Sequence, residues 1–304
     1  MLKKTCKKCG SFKIKKDGNM RGKQRYKCTS CWYVFQNSGR IKIDKQILRE
    51  EYTRGKQTYK QLSNKYGVSV YTIRNLLDSV DITPEIPITT DRDVVITIDT
   101  TYFWRVFGVM VFRCEKLKKN LLWKIVKHET KELYHQGIVE LEGQWWIIKA
   151  IVCDGRRGII GSFGDVPIQM CVFHQMKIMR RYLTRFPRTE AGKELKDISS
   201  MLGKIRKRTM VMWLDDRYRK YKSFIYERND NGDFMHPRVL KAYRSLQRNF
   251  KYLFTYQDHA WKIDIPTTTN SLDWTFSHLK QKLGLHRWLD QWRKEKFIHD
   301  YLSK

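Results

Sequence analysis

The stretch from Val94 to Thr184 constrains this chain most, because its apolar residues come in short runs with a definite order. Val94-Val-Ile-Thr-Ile98 is β-branched and bounded by Asp99, and apolar runs at Val106–Phe112 and Leu121–Val126 follow. Runs of this kind read as strands, and three in succession read as an antiparallel meander. Lys131–Leu141 has helical spacing, and Trp145–Val152 is a fourth strand leading into Cys153-Asp154-Gly155. A short helical segment, a fifth strand at Pro167–Val172 and a basic helix over His174–Thr184 complete the run. A crossover helix after a meander lays the first and fourth strands side by side and parallel.

Three strands, helix, strand, helix, strand, helix is the order of a ribonuclease-H-like α/β fold. Residues 93–187 are expected to be the first part of that core. Residues 188–262 read as an all-helical insertion, with periodic segments at Ala191–Leu202, Met210–Glu227 and Pro237–Leu253. Residues 263–304 return to the core with a helix opening near Thr267-Thr-Thr-Asn270 and a basic amphipathic helix after His286.

Two smaller modules precede the core. Residues 1–40 carry Cys6-x-x-Cys9 and Cys28-x-x-Cys31, the spacing of a zinc ribbon. Each pair offers two thiolates from a compact turn, and together they supply a tetrahedral set. A module this short buries too little to fold alone, so Zn²⁺ is expected to hold it together. Its lysines and arginines suit phosphates, while a purely structural or protein-binding role stays open.

Residues 41–82 read as a helix-turn-helix DNA-binding domain. In Tyr59-Lys-Gln-Leu-Ser-Asn-Lys-Tyr-Gly67-Val-Ser69, Gly67 marks the tight turn and Ser69 the N-cap of the next helix. On that helix Tyr71, Thr72, Arg74 and Asn75 are expected to reach a DNA groove while Val70, Ile73 and Leu77 pack. An ordinary helical hairpin is the alternative. Residues 83–92, with Pro84 and Pro87, read as a linker.

The charge selects the partner class. The chain has 61 Lys and Arg against 31 Asp and Glu, a net +30, so a polyanion is the expected partner. With 41% apolar and 13% aromatic residues it is not a disordered basic tail. Met1-Leu-Lys-Lys-Thr-Cys6 is charged at once and no apolar run approaches the roughly 20 residues of a membrane span. The expectation is a cytoplasmic, nucleoid-associated protein with no membrane partner, whose unevenly placed cysteines suit a metal site better than disulfides.

Asp99 and Asp154 follow apolar runs of adjacent strands, and two carboxylates that converge there resist joint ionisation unless a divalent cation lies between them. Mg²⁺, or Mn²⁺, would satisfy them. A third acid is sought among Asp258, Asp264, Asp273 and Asp290. Asp273 is preferred, because it falls in the first turn of a helix behind a polar cap; a helix-dipole role is its plain alternative. Lys280 lies two turns later on the same face and could hold a phosphate.

The ordered set Ile98-Asp99-Thr-Thr-Tyr-Phe103, Cys153-Asp154-Gly155-Arg-Arg-Gly158, Cys171-Val-Phe-His174 and Thr269-Asn270-Ser-Leu-Asp273, followed by His286-Arg287, resembles the Mutator-type bacterial insertion-sequence transposases. The resemblance is to their branch with an N-terminal zinc ribbon, and extends to Tyr182-Leu-Thr-Arg-Phe-Pro-Arg-Thr-Glu-Ala-Gly192 and Tyr252-Leu-Phe-Thr-Tyr256. It implies a DDE enzyme in which Asp99 and Asp154 match the first two acids and Asp273 stands where the third, usually Glu, is found. Cys171 and His174 match a Cys-x-x-His signature, read either as a zinc half-site or as packing and hydrogen bonding beside the active site. His286 and Arg287 are expected near DNA. Trp213 resembles an aromatic that stacks on a distorted base, with core packing as its plain alternative.

The implied reaction is Mg²⁺-dependent cleavage at the element's terminal inverted repeats and strand transfer into target DNA, with two ions about 3.5–4 Å apart. A homodimer or larger homo-oligomer would bring two ends together. The competing readings are a DNA-binding regulator or domesticated, catalytically weakened transposase, and a nuclease or resolvase that cuts without joining.

Overall fold

The structure is a computed structural model that describes residues 5–20, 22–36, 42–82, 89–104, 106–156, 158, 160 and 163–303. Most of the expected linker, residues 83–88, lies outside the described residues, as do residues 37–41 and Arg157. The chain divides into two units, Met1–Tyr52 with Gln57–Val80 and Thr53–Lys56 with Asp81–Lys304.

In the first unit, β1 (Ile14–Met20), β2 (Lys23–Cys28) and β3 (Val34–Gln36) form an antiparallel sheet in that order. Its small core is Cys6, Cys28 and Phe35, with Ile14, Tyr26 and Cys31 against it. Three helices follow: α1 (Lys45–Thr53), α2 (Tyr59–Tyr66) and α3 (Val70–Asp78). Thr58 and Gln61 form a reciprocal capping box at the start of α2, satisfying free N–H groups of the first turn. Gly67 ends α2 at φ 61°, a left-handed conformation that glycine adopts without steric cost. Ser69 then caps α3 by accepting from the Thr72 N–H. Leu62, Ile73 and Leu77 are buried, whereas Val70, on the same stripe but at the first position of α3, is exposed.

The second unit is built on a five-stranded mixed sheet. Its strands are β4 (Asp93–Phe103), β5 (Phe107–Cys114), β6 (Lys119–Val126), β7 (Ile147–Cys153) and β8 (Ile168–Met170), in the spatial order β6-β5-β4-β7-β8. The β4–β5 and β5–β6 pairs are antiparallel, whereas β4–β7 and β7–β8 are parallel. The first and fourth strands of the sheet are therefore neighbours, as their order predicts.

Helix α4 (Lys131–Gly143) connects β6 to β7 and covers one face. Val94, Ile96 and Ile98 of β4, Met110 and Phe112 of β5 and Tyr134, Ile138 and Leu141 of α4 share its core. The approach is close: a Cβ on Gly137 would lie 2.1 Å from Phe112 Cζ. On the opposite face Ala150 and Val152 of β7 pack with Ile265.

The short helical segment expected between β7 and β8 falls in part on residues 157, 159, 161 and 162, which lie outside the described residues. The helices that follow are α5 (Val172–Leu183), α6 (Glu190–Ser200), α7 (Lys207–Tyr226), α8 (Pro237–Leu253), the short α9 (Thr255–Asp258), α10 (Asn270–Gly284) and α11 (Gln291–Leu302). Met179 and Leu183 of α5, Leu195 and Ile198 of α6, Met210 of α7 and Leu240 and Leu246 of α8 form a second core.

Strand β8 lies at the sheet edge, where unpaired peptide groups need partners. The segment 252–256 supplies them: Thr255 Oγ1 donates to Ile168 O at 2.7 Å, and Gln169 Oε1 accepts from the Tyr256 N–H at 3.0 Å. A buried polar link joins α5 to α8, with Asn249 Nδ2 donating to Gln175 Oε1 at 2.8 Å. Among the described residues, no helix is long and apolar enough to cross a membrane.

Candidate active site and metal centre

Strand lengths create the site. The parallel β4–β7 pairing ends at Thr97 and Val152, whereas β4 continues against β5 through Asp99–Val111 to Phe103–Phe107. Asp99 is thus inside β4, not at its end as the sequence predicts, because β5 still pairs with it. Asp99 lies two residues past Thr97, and Asp154 two past Val152, so the two acids follow the last paired rung by equal steps.

Asp273 is in the first turn of α10 and its N–H donates to Thr269 O at 3.2 Å. Asp99, Asp154 and Asp273 line one cavity of about 410 Å³, together with Glu129, Arg156, His174 and Lys280. Lys280 also places its Nζ 5.8 Å from the Phe103 ring centroid.

Burial raises the Asp99 carboxyl to about 6, against the pull of His174 and the Thr100 N–H, and the charges of Asp273 and Asp154 push it the same way. Asp273 Oδ2 is buried with no hydrogen-bond partner, an arrangement that normally costs stability. Carboxylates that open onto one cavity and an orphaned acceptor suit a divalent cation in donor type. The carboxylate oxygens are spread, however: among the described residues the four N-terminal cysteines are the only group of three or more His, Cys, Asp or Glu whose ligand atoms all lie within 4.8 Å.

Glu129, absent from the sequence-based candidates, is a fourth acid at this cavity. Its side chain is 5% exposed, accepts from Tyr134 Oη and pairs with Arg156. Burial pushes its carboxyl up against both partners. Arg156 also reaches Asp154, Nε to Oδ2 at 3.3 Å, and so bridges two acids. Glu129 immediately precedes the N-cap Thr130 of α4 and has no flanking motif to draw attention to it.

Cys171 and His174 stand at the start of α5. Cys171 Sγ accepts from Thr269 N–H and Oγ1, and Val172 N–H donates to Thr267 O at 2.9 Å, so this turn is tied to the segment entering α10. The Cys171 sulfur raises the His174 pKa, burial opposes it, and Asp99 adds to the rise. The pair has no compact metal-ligand group around it among the described residues; Cys171 is hydrogen-bonded, whereas His174 Nδ1 is buried without a partner.

The four ribbon cysteines do converge. Sγ–Sγ distances are 3.5 Å for Cys6–Cys31 and 3.7 Å for Cys9–Cys28. A tetrahedron of Zn–S bonds of about 2.3 Å has edges of about 3.8 Å, so the cluster is compatible with zinc. The Lys8 and Ser30 N–H groups each donate to a cysteine sulfur at 3.4 Å, holding the knuckle turns.

Among the residues expected at DNA, Tyr71, Thr72 and Asn75 are exposed on α3. Arg74 is half-buried, its guanidinium 5.7 Å from the Tyr59 ring centroid. Arg287 is exposed, but His286 is 7% exposed and packs 5.3 Å from the Phe297 ring. Desolvation lowers its pKa to about 4. The imidazole is therefore enclosed here, and Arg287 is the exposed member of the pair. Trp213 is half-buried on α7 against the helical core.

No protein-family model and no curated protein matches the chain. Among solved structures it matches a chain of the Drosophila P element transposase strand transfer complex, 13% identical over 77% of this chain and 64% of that one, with a TM-score of 0.34. The chain thus spans less than two thirds of that chain's length. It also matches a chain of the simian T-cell lymphotropic virus intasome in complex with PP2A regulatory subunit B56 gamma, 10% identical over 66% of this chain and 68% of that one, with a TM-score of 0.23. Neither match assigns an activity to this chain.

Proposed function

We propose that the chain is a DDE-type transposase of the zinc-ribbon Mutator-like group, with a ribonuclease-H-like core, cutting and joining DNA at the ends of an insertion sequence. The observation that carries the reading is the opening of Asp99, Asp154 and Asp273 onto one cavity, with an unpartnered Asp273 oxygen and Lys280 beside them. Sequence motifs support the family, and the shared cavity supports the chemistry.

Asp99, Asp154 and Asp273 would hold Mg²⁺, whose charge supports phosphoryl transfer by polarising the phosphodiester. Lys280 is placed to attract a phosphate oxygen at the same cavity. Arg156 balances Glu129 and Asp154, keeping surplus negative charge from repelling the DNA backbone. No nucleophilic side chain is needed, because positioning and charge do most of the work in phosphoryl transfer. The reading also takes α2 and α3 as a helix-turn-helix, residues 188–262 as a helical insertion, and the terminal repeats as the DNA recognised by a dimer or larger assembly.

The test uses a labelled terminal-repeat duplex with Mg²⁺ or Mn²⁺. The wild-type protein is expected to nick at the element boundary and form joined products, while Asp99→Ala and Asp154→Ala bind but do not cut. A second reading, a DNA-binding regulator, is favoured by the spread of the carboxylates and by Asp at the position usually held by Glu. Binding without cleavage in either metal would establish it; cuts without joined products would indicate a nuclease or resolvase.

A further inference from the structure

The segment Tyr182–Gly192 takes no part in the acidic site. It lines a separate cavity of about 790 Å³, closed on its other side by the start of α8. Arg185, Arg188 and Arg238 contribute three guanidinium groups, and no carboxylate lines the cavity. None of the three makes an ion pair with a described residue. Four cations elsewhere in these helices are matched, Lys207 with Asp258, Lys193 with Glu190, and Arg217 and Lys220 with Glu194, while others such as Arg180, Arg208 and Arg248 are not; what sets the trio apart is its place around one concavity that no acid lines. Three guanidinium groups around a concave surface without a carboxylate suit an anionic ligand.

Phe186 adds the second requirement. It is 76% exposed, with the Arg185 guanidinium 5.4 Å and the Lys196 ammonium 5.9 Å from its ring centroid. The backbone that presents it is fixed. Thr184 sits at φ 66° and ψ −179°, a region essentially reserved for glycine, and Lys196 Nζ donates to Arg185 O at 2.7 Å. Strain concentrated on a β-branched residue beside an exposed aromatic and unpaired arginines is typical of a ligand-binding turn.

We infer that this cavity binds an unpaired nucleotide of a DNA strand, its phosphates held by Arg185, Arg188 and Arg238 and its base stacked on Phe186. Duplex DNA is disfavoured as occupant, because paired bases keep their faces inside the stack, whereas a single strand offers both a π-face and phosphates. The inference rests on the proposed function only in choosing DNA among nucleoside phosphates. Strand binding here does not need the acidic site, so Asp99→Ala should bind single strands normally, and the two ideas can fail separately.

The experiment measures anisotropy of full-length protein with a labelled strand of about 12 nucleotides, its duplex, and a free mononucleotide as competitor. Phe186→Ala should weaken strand binding about tenfold and change duplex binding less than about twofold, with Phe186→Trp restoring the strand affinity. Replacing Arg185, Arg188 and Arg238 together by Ala should flatten the log affinity against log salt slope for the strand by about 2, three contacts at about 0.7 each. Ultraviolet crosslinking of the wild-type protein to a bromouracil strand should map to the peptide containing Phe186, a readout independent of how the variants fold. Equal losses for strand and duplex, unchanged strand binding, crosslinks elsewhere, or competition by the mononucleotide as strong as by the strand would each overturn the inference.

Discussion

Thr269 donates both its backbone N–H, at 3.4 Å, and its hydroxyl, at 3.5 Å, to the sulfur of Cys171. The two residues lie 98 positions apart, and the contact joins the start of α5 to the start of α10, whose first turn carries Asp273. A thiol sulfur is a weak acceptor, so two donors on one sulfur make it a positional pin more than a large source of stability.

Removing the pin tests that role. Cys171→Ala is expected to leave the fold intact but weaken Mn²⁺ binding several-fold, with Cys171→Ser restoring part of the loss. Electron paramagnetic resonance of bound Mn²⁺ with parallel circular dichroism is the measurement. A large fall in melting temperature with unchanged Mn²⁺ affinity would make Cys171 a packing residue only.

Asp99 gives a pH-dependent prediction for protein free of divalent ions. Its folded pKa of about 6 lies above the ordinary 3.8, so the native state holds the proton more tightly than the unfolded chain. Stability therefore falls as pH rises through about 4 to 6 and stays lower above that range. Asp99→Asn should stabilise the metal-free protein by on the order of 1–3 kcal/mol at pH 7–8 and have little effect near pH 4. Denaturant titrations across that range check it, and equal stabilisation at both ends would refute it.

Asp273→Glu extends the carboxylate by one methylene toward the cavity. Cleavage of the terminal-repeat duplex is expected to be retained or raised. Complete loss would show that the site is tuned to the shorter acid, or that Asp273 is not its third member.

Gly137→Ala should destabilise the second unit by about 1–3 kcal/mol, because the new methyl would meet the rigid Phe112 ring at 2.1 Å. Phe112→Leu is expected to recover part of that loss. Gly155→Ala meets Met170 Cε at the same nominal distance, but a thioether tail can swing aside, so its cost should be smaller. Thermal melts of the variants decide the order.

In the N-terminal sheet, Co²⁺ added to metal-free protein should produce thiolate-to-metal absorbance that Cys9→Ser weakens and Cys28→Ser abolishes. Chelation should broaden the NMR signals of Tyr26 and Phe35, since this small core has little apolar surface beyond the cysteines themselves.

The strand order was legible because β4, β5, β6 and β7 are long apolar runs with clear breaks, and the neighbourhood of Asp99 and Asp154 follows from that order. Strand ends were not legible. Asp99 looks terminal because a charge interrupts an apolar run, yet pairing to β5 carries the strand on to Phe103. The strand expected at Pro167–Val172 pairs only over the three residues of β8, and the four residues of α9 are too short for periodicity to register. Glu129 has no local pattern, since its burial comes from Tyr134 and Arg156. His286 and Arg287 read alike in the sequence, and only the packing of Phe297 against the His286 ring distinguishes them.

The unequal reach of β4 and β7 gives the three acids different mechanical standing. Asp99 lies inside a paired strand and Asp154 directly follows the last rung of β7 with β8, so both take their positions from the sheet. The third rides on α10, whose entry is tied to α5 through the Cys171 sulfur, so its separation from the other two is set by helix packing and not by strand register.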